Sequence, residues 1–285
     1  MAKGVEDTAM YRYLRLVALN EVGGDPGRWG VDLDEFHRRA AAGRPHGLLA
    51  GTTHDTKRSE SVRSRLLALA QVPDRWTEAV GRWSERRPFA DPHAGYLVWQ
   101  TLVGAWPIGP DRLWPYLEKA VREAKRRTSW LDPDEAYESD LRATVDALFD
   151  DAGLRADVGR FVDEVAPIGR TIDLAHLLLR CTMPGVPDLY QGSEDELLTL
   201  VDPDNRRPVH HRWDTPRAGI IRTALAVRRE HGLDGYEPLD LGDEVVGFVR
   251  GRVATVVPRF GPVDLPDLPG WDVVLDGPAR LLVRR

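Results

Sequence analysis

Thr52-Thr53-His54-Asp55-Thr56-Lys57-Arg58-Ser59-Glu60 is the stretch on which the fold of this chain turns. A short apolar segment, Gly47 to Thr52, precedes it and reads as a strand. The segment after it places Val62, Leu66, Leu69 and Ala70 at helix spacing, with Ser59 as the expected N-cap. Asp55 therefore stands where a strand gives way to a loop, with His54 beside it. In a barrel of alternating strands and helices, such strand-end loops carry the chemistry. The plainer reading of the pair is a capping aspartate next to a surface histidine. No metal is expected, because no partner lies at ligand spacing and no H-E-x-x-H is present.

Working outward, the chain reads in four parts. Residues 1–74 open with a helix carrying Met10, Leu14, Val17 and Ala18, then a Gly/Pro loop (Gly23, Gly24, Pro26, Gly27), a short helix near Leu33–Ala42 and the strand–loop–helix just described. Residues 75–165 read as helical throughout, punctuated by prolines, with the clearest stripe at Leu113, Leu117, Ala120, Val121 and Ala124. Lys119, Arg122, Lys125, Arg126 and Arg127 read as a solvated face of that helix. Residues 166–232 return to helix, strand and helix. Ile172, Ala175, His176 and Leu179 form a stripe on which His176 reads as a packed histidine, and Val186 to Tyr190 reads as a short buried strand. Residues 233–285 switch to a period of two, and Gly251-Arg252 between Val245–Arg250 and Val253–Val257 signals a type II′ hairpin.

Three further features carry two readings each. Pro184-Gly185-Val186-Pro187-Asp188-Leu189-Tyr190-Gln191-Gly192 restricts the backbone strongly and reads as a rigid strand entry, with Tyr190 and Gln191 as candidates to face a pocket. Val201-Asp202-Pro203-Asp204-Asn205-Arg206-Arg207-Pro208 is good turn chemistry, and its arginines could equally fix sugar hydroxyls through planar donors. Trp76, Trp83, Trp99, Trp106, Trp114 and Trp130 read as helix–helix packing or as a platform for sugar rings.

Composition narrows the function classes. The chain has 285 residues, 42% hydrophobic and 29% charged, with a net charge of −6. An acidic balance argues against nucleic acid as the main partner. Cys181 is the single cysteine, so no intrachain disulfide forms and a reducing cytoplasm is expected. The apolar run near Leu174 to Met183 is broken by His176 and Arg180 and does not read as a membrane span. No phosphate loop and no G-x-S-x-G elbow occurs, so no cofactor is expected.

Taken together, these blocks resemble the maltooligosyltrehalose synthase family of the alpha-amylase clan of glycoside hydrolases. The matching runs are Met1 to Ala9, Leu19 to Gly27, Thr53 to Glu60, Ala124-Lys125 with Thr128-Ser129-Trp130, Pro184 to Gly192 and Leu200 to Val209. Met10 stands where an aromatic is usual and Ser61 where an acidic residue is usual.

The resemblance implies an α/β fold with a large helical insertion. It consists of the C-terminal part of a (β/α)8 TIM barrel (1–74 and 166–232), a helical insertion (75–165) and a small C-terminal antiparallel β domain (233–285). It further implies conversion of the reducing-end α-1,4 bond of a maltooligosaccharide into an α,α-1,1 bond through a glucosyl-enzyme. Asp55 matches the clan's third carboxylate, the transition-state stabiliser. His54 would bind the same sugar, and Lys57, with Lys3, would grip the reducing-end glucose. Arg58, Tyr190, Asp204 and Arg206 complete the expected binding set. The family's nucleophile Asp and acid Glu are expected upstream of Met1. The isolated chain is therefore expected to be inactive, with the N-terminal barrel half and, in the pathway, maltooligosyltrehalose trehalohydrolase as partners. A non-catalytic glucan-binding module and a helical interaction module are the alternatives.

Overall fold

A computed structural model describes residues 2–285, with side chains described from Gly4 onward; Lys3 is placed only as backbone within the first helix, so its expected sugar contact lies outside the described side chains. The described elements are helices α1 (Ala2–Arg12), α2 (Leu33–Ala41), α3 (Glu60–Leu67), α4 (Pro73–Arg86), α5 (Pro92–Ala105), α6 (Pro110–Ala124), α7 (Glu135–Asp150), α8 (Ala152–Thr182) and α9 (Pro216–His231). The strands are β1 (Leu48–Ala50), β2 (Val186–Asp188), β3 (Glu237–Leu239), β4 (Val245–Arg250), β5 (Val253–Pro258), β6 (Trp271–Leu275) and β7 (Arg280–Arg284). They group into two compact units.

The first unit comprises Met1–Trp29, His54–Ala166 and Leu198–Arg207. Its helices form because each carries an apolar stripe and a start signal. Asp91 caps α5, Asp134 caps α7, and α4, α5 and α6 each have proline in the first turn. Ser59 caps α3 by accepting from the Val62 amide. Val62 and Leu66 are buried on the expected stripe, whereas Ala70 is exposed, because α3 gives way to a tighter 3-10 turn over Ala68–Gln71 that rotates it outward. Trp76, Trp83 and Trp99 are buried with Phe161 and Phe89 in one aromatic cluster whose ring centroids lie 5.6–6.0 Å apart. Each indole N–H has a partner: Tyr96 for Trp76, Asp157 for Trp83 and Ser84 for Trp99. Packing is thus the role of these three; Trp130 is half exposed, with the Arg122 guanidinium 4.8 Å from its ring centre.

The second unit comprises Gly30–Thr53, Pro167–Leu197 and Pro208–Arg285. In it β1 and β2 pair in parallel, Leu48 opposite Val186 and Ala50 opposite Asp188. The strands are shorter than expected, three residues each. Gly185 is required at their entry: its φ is +134°, and a Cβ there would lie 2.6 Å from Leu49 Cγ. The Arg228 guanidinium donates to the carbonyls of Cys181 and Gly185, and Arg250 donates to those of Thr182, Leu233 and Gly235. Two arginines thereby satisfy the last carbonyls of α8 and the proline-bounded turn into β2.

A five-stranded antiparallel sheet, order β3-β4-β5-β7-β6, makes up the rest. The β4–β5 hairpin closes on Gly251 (φ +58°) and Arg252, as the turn signal implied. Alternation sends Val246, Val253, Val257 and Leu281 to a core shared with Leu177, Leu178, Ile221 and Ala224 of α8 and α9. Val245, Val249, Ala254, Val256 and Leu282 line the opposite face.

Helix α8 is continuous through Pro167 for 31 residues, and the division between the two units, at 166–167, falls within it. One expectation is corrected. His176 is exposed rather than packed. The buried stripe of α8 is Leu174, Leu177, Leu178 and Cys181, and at 100° per residue position 176 lies on the far side of it.

Candidate functional site

The site is built where two polar runs of the first unit meet. Residues 57–59 and 199–201 form a short antiparallel bridge: Ser59 N–H donates to Thr199 O at 2.9 Å and Val201 N–H donates to Lys57 O at 3.0 Å. Asn205 then donates its side-chain amide to the His54 carbonyl at 2.8 Å. The His54-Asp55 loop, which follows β1, is therefore held at His54 by Asn205 and at Lys57 and Ser59 by the 199–201 run.

The turn is itself anchored. Asp204 is buried, receives both Nε (2.8 Å) and a terminal nitrogen (2.9 Å) of Arg112, and accepts from the Leu200 amide at 2.9 Å. Its carboxylate organises the loop from within. Arg206 is exposed and pairs with Asp202 at 2.7 Å. Arg58 is wholly buried, donating to Val17 O and, at 2.7 Å, to the Tyr116 hydroxyl. His54 is exposed and Asp55 is about one-third exposed. Lys57 is buried at 2% exposure, with its ammonium 2.7 Å from Asp7 and 3.8 Å from Asp55. Tyr190 belongs to the second unit, half-buried just beyond β2, with its carbonyl accepting from the Ser193 amide.

Two residues without an assigned role in the sequence, Glu21 and Asp7, hold this loop, and a third, Asn20, holds the helix that carries Asp7. Glu21 accepts from the Lys57 amide (2.9 Å) and the Arg58 amide (3.3 Å), and from the Arg63 guanidinium (3.2 Å). Its neighbour Asn20, fully buried, donates to the Met10 and Tyr13 carbonyls and so holds the end of α1. Asp7 on α1 supplies the carboxylate against Lys57. The run Leu19 to Gly27 carries part of the family resemblance, but contacts spanning 36 and 37 residues leave no local pattern that assigns Glu21 its partners.

Among the described residues, no group of three or more His, Cys, Asp or Glu side chains is placed to hold a metal, and no helix is long and apolar enough to cross a membrane. A scan against family models finds no match. Two Mycobacterium tuberculosis proteins, from strains CDC 1551 and H37Rv and provisionally described as maltooligosyl trehalose synthase, are each 40% identical over 297 aligned residues, which is 95% of this chain and 39% of theirs. The solved maltooligosyltrehalose synthase of Arthrobacter ramosus superposes with a TM-score of 0.91 at 35% identity, over 100% of this chain and 45% of that one. A hypothetical maltooligosyl trehalose synthase of Sulfolobus tokodaii gives 0.92 at 30% identity, over 98% and 45%.

The chain is similar, along nearly its whole length, to the C-terminal portion of maltooligosyltrehalose synthases. It spans less than half the length of these relatives. The similarity to maltooligosyltrehalose synthases includes both runs that meet at the Asp55 loop.

Proposed function

We propose that this chain supplies the C-terminal part of a maltooligosyltrehalose synthase, an intramolecular transglucosylase that turns the reducing-end α-1,4 bond of a maltooligosaccharide into α,α-1,1. The observation that carries the reading is the bracing of the His54-Asp55 loop by the 199–207 run, in a chain whose own length aligns throughout with under half of such an enzyme. A one-third exposed carboxylate with an ammonium 3.8 Å away can accept hydrogen bonds from sugar hydroxyls, bonds that tighten as a ring flattens toward the transition state. That is the role proposed for Asp55, with His54 on the same sugar. Asp204 organises the binding loop, while Arg206 offers donors to further sugar units.

In this reading the strand pair β1–β2 and the helices after it are the closing portion of a (β/α)8 barrel. The nucleophile and acid carboxylates come from a segment equivalent to the upstream part of the relatives, and a trehalohydrolase consumes the trehalose-ended product. The 285-residue polypeptide alone is therefore inactive.

The test is co-expression with the upstream segment of the Arthrobacter ramosus enzyme, followed by assay of maltopentaose for a trehalose-ended product. Turnover is expected from the pair and not from the chain alone. Asp55→Asn should lower kcat by about 10²–10³-fold, the usual loss when a transition-state contact is removed. Full activity in Asp55→Asn, or turnover by the chain alone, would overturn the proposal.

Binding without catalysis is the second reading, and half-exposed Trp130 favours it because one indole face can stack on a sugar ring. Millimolar maltooligosaccharide should then perturb tryptophan fluorescence in the isolated chain, and Trp130→Ala should remove the response.

A further inference from the structure

Trp29 ends the loop that Glu21 begins, and its side chain is 49% exposed. The Arg15 guanidinium lies over the indole, 4.3 Å from the ring centre. We propose that Trp29 is a stacking platform for one glucose unit of the bound maltooligosaccharide, with Arg15 backing the ring and the Tyr13 hydroxyl beside Arg15. The inference rests on the reading that this chain serves a maltooligosaccharide enzyme, and adds a subsite to it.

The indole is uncommitted. Trp76, Trp83 and Trp99 are buried, and each N–H has an acceptor. Among the described residues, Trp29 has no ring contact besides Arg15, and its N–H has no acceptor. With a guanidinium on one face and half the side chain in solvent, the opposite face is left to a ligand. The apolar C–H face of a pyranose suits an indole face, as polar hydroxyls at the ring's rim suit planar donors. Arg15 supplies such donors: it is exposed and has no carboxylate partner among the described residues. One of its nitrogens donates to the Tyr13 hydroxyl at 3.0 Å, which leaves that O–H to donate onward.

The platform is also fixed in advance of any ligand. Gln100, wholly buried on α5, donates to Leu14 O at 2.7 Å and accepts from the Val17 amide at 2.9 Å, so it holds the backbone on both sides of Arg15. The Tyr96 hydroxyl donates to Arg15 O. The loop leading to Trp29 is tied down as well. Glu21 sits on the Lys57 and Arg58 amides, Gly23 N–H donates to Glu6 at 2.9 Å, and Arg28 N–H donates to Asp25 O at 3.0 Å. Gly24 turns so tightly that a Cβ would lie 2.8 Å from Glu21 O. Little ordering entropy then remains to be lost on binding.

The test uses the co-expressed enzyme labelled with 5-fluorotryptophan and titrated with maltopentaitol. Reduction of its terminal unit removes the anomeric carbon at which the α,α-1,1 bond would form, so binding is read without turnover. The Trp29 fluorine resonance, assigned by its loss in Trp29→Tyr, should shift and saturate. Calorimetry on unlabelled protein should show Trp29→Ala weakening binding by about 5–10-fold. Arg15→Gln, which removes the backing cation, should weaken it by about two- to fivefold. Trp29→Tyr keeps a flat ring and should recover most of the alanine loss.

A Trp29 signal that stays still as maltopentaitol is added would overturn the inference. So would equal losses in Trp29→Ala and Trp29→Tyr, because the ring face would then not be the contact. If Trp29→Ala does not fold, the fluorine shift and Arg15→Gln decide. If Asp55→Asn is fully active, the reading of Asp55 fails, and the maltopentaitol titration still judges Trp29. If Asp55→Asn is inactive and the Trp29 signal stays still, only the present inference fails.

Discussion

Single residues here are held by charge as much as by packing, and Glu138 shows how that responds to acid. Its buried carboxylate receives Arg122 through Nε at 2.8 Å and a terminal nitrogen at 2.6 Å, and the Thr128 hydroxyl at 2.5 Å. Thr128 in turn accepts from the Asp134 amide at the start of α7. The bidentate Arg122 contact is the main cause that holds Glu138 below the ordinary glutamate range, with Thr128 adding to it and burial opposing it. A carboxyl lowered in the folded state contributes stability that is fully present above its unfolded value of 4.5 and is lost as pH falls through the lower folded value. The α6–α7 pairing should therefore weaken in acid below that point. Glu138→Gln should be less stable at pH 7 and should lose less on acidification than the wild type. Urea midpoints at neutral pH and in acid, compared between the two proteins, would show it. Equal acid losses in both would remove Glu138 from the account.

Helix–helix contacts set the tolerance of the elements that carry the site. Gly104 of α5 faces α3, the helix that Ser59 caps directly after the Asp55 loop; a Cβ at 104 would lie 3.0 Å from both Leu66 Cγ and Val62 Cγ1. Gly104→Ala should destabilise by about 1–3 kcal/mol through overpacking. Gly81, exposed on α4 with nothing within 4 Å, is the control. Gly81→Ala should stabilise by up to ~1 kcal/mol through helix propensity alone. Denaturant unfolding of both variants gives the two signs. The helices, the Ser59 cap and the Gly251-Arg252 hairpin were legible in the sequence because each is written in local spacing and turn chemistry. The continuity of α8 was not: Pro167 is a local breaker, and the α9 residues that share a core with Leu174 to Cys181 beyond it, Ile220 to Val227, are distant in sequence. For the same reason Asp55 could be singled out from its loop while Glu21 and Asp7, which hold that loop, could not.

At the scale of the molecule, the two-stranded parallel sheet is the feature that demands a partner. Parallel sheets occur almost only where both faces are covered, yet Leu48 is 75% and Val186 41% exposed. Backbone direction says which edge is able to receive a strand. Val186 N–H donates to Gly47 O at 2.8 Å, so residues 47 and 186 point toward each other. Amides alternate sides along a strand, which turns those of Leu48 and Ala50 outward on β1 and leaves only a proline nitrogen outward on β2, at Pro187. Pro187 blunts its own edge; β1 remains open. If an upstream segment of the kind found in the longer relatives completes a barrel here, the Leu48 and Ala50 amides should gain hydrogen-exchange protection when that segment is added. Amides of the β4–β5 hairpin, already paired, should not change. Leu48→Pro removes one outward donor while sparing the inward Leu49 position, so the chain should still fold and bind the segment more weakly. Unaltered exchange at Leu48 and Ala50 in an active, co-expressed pair would mean that the added segment docks elsewhere and that β1 is not a barrel strand.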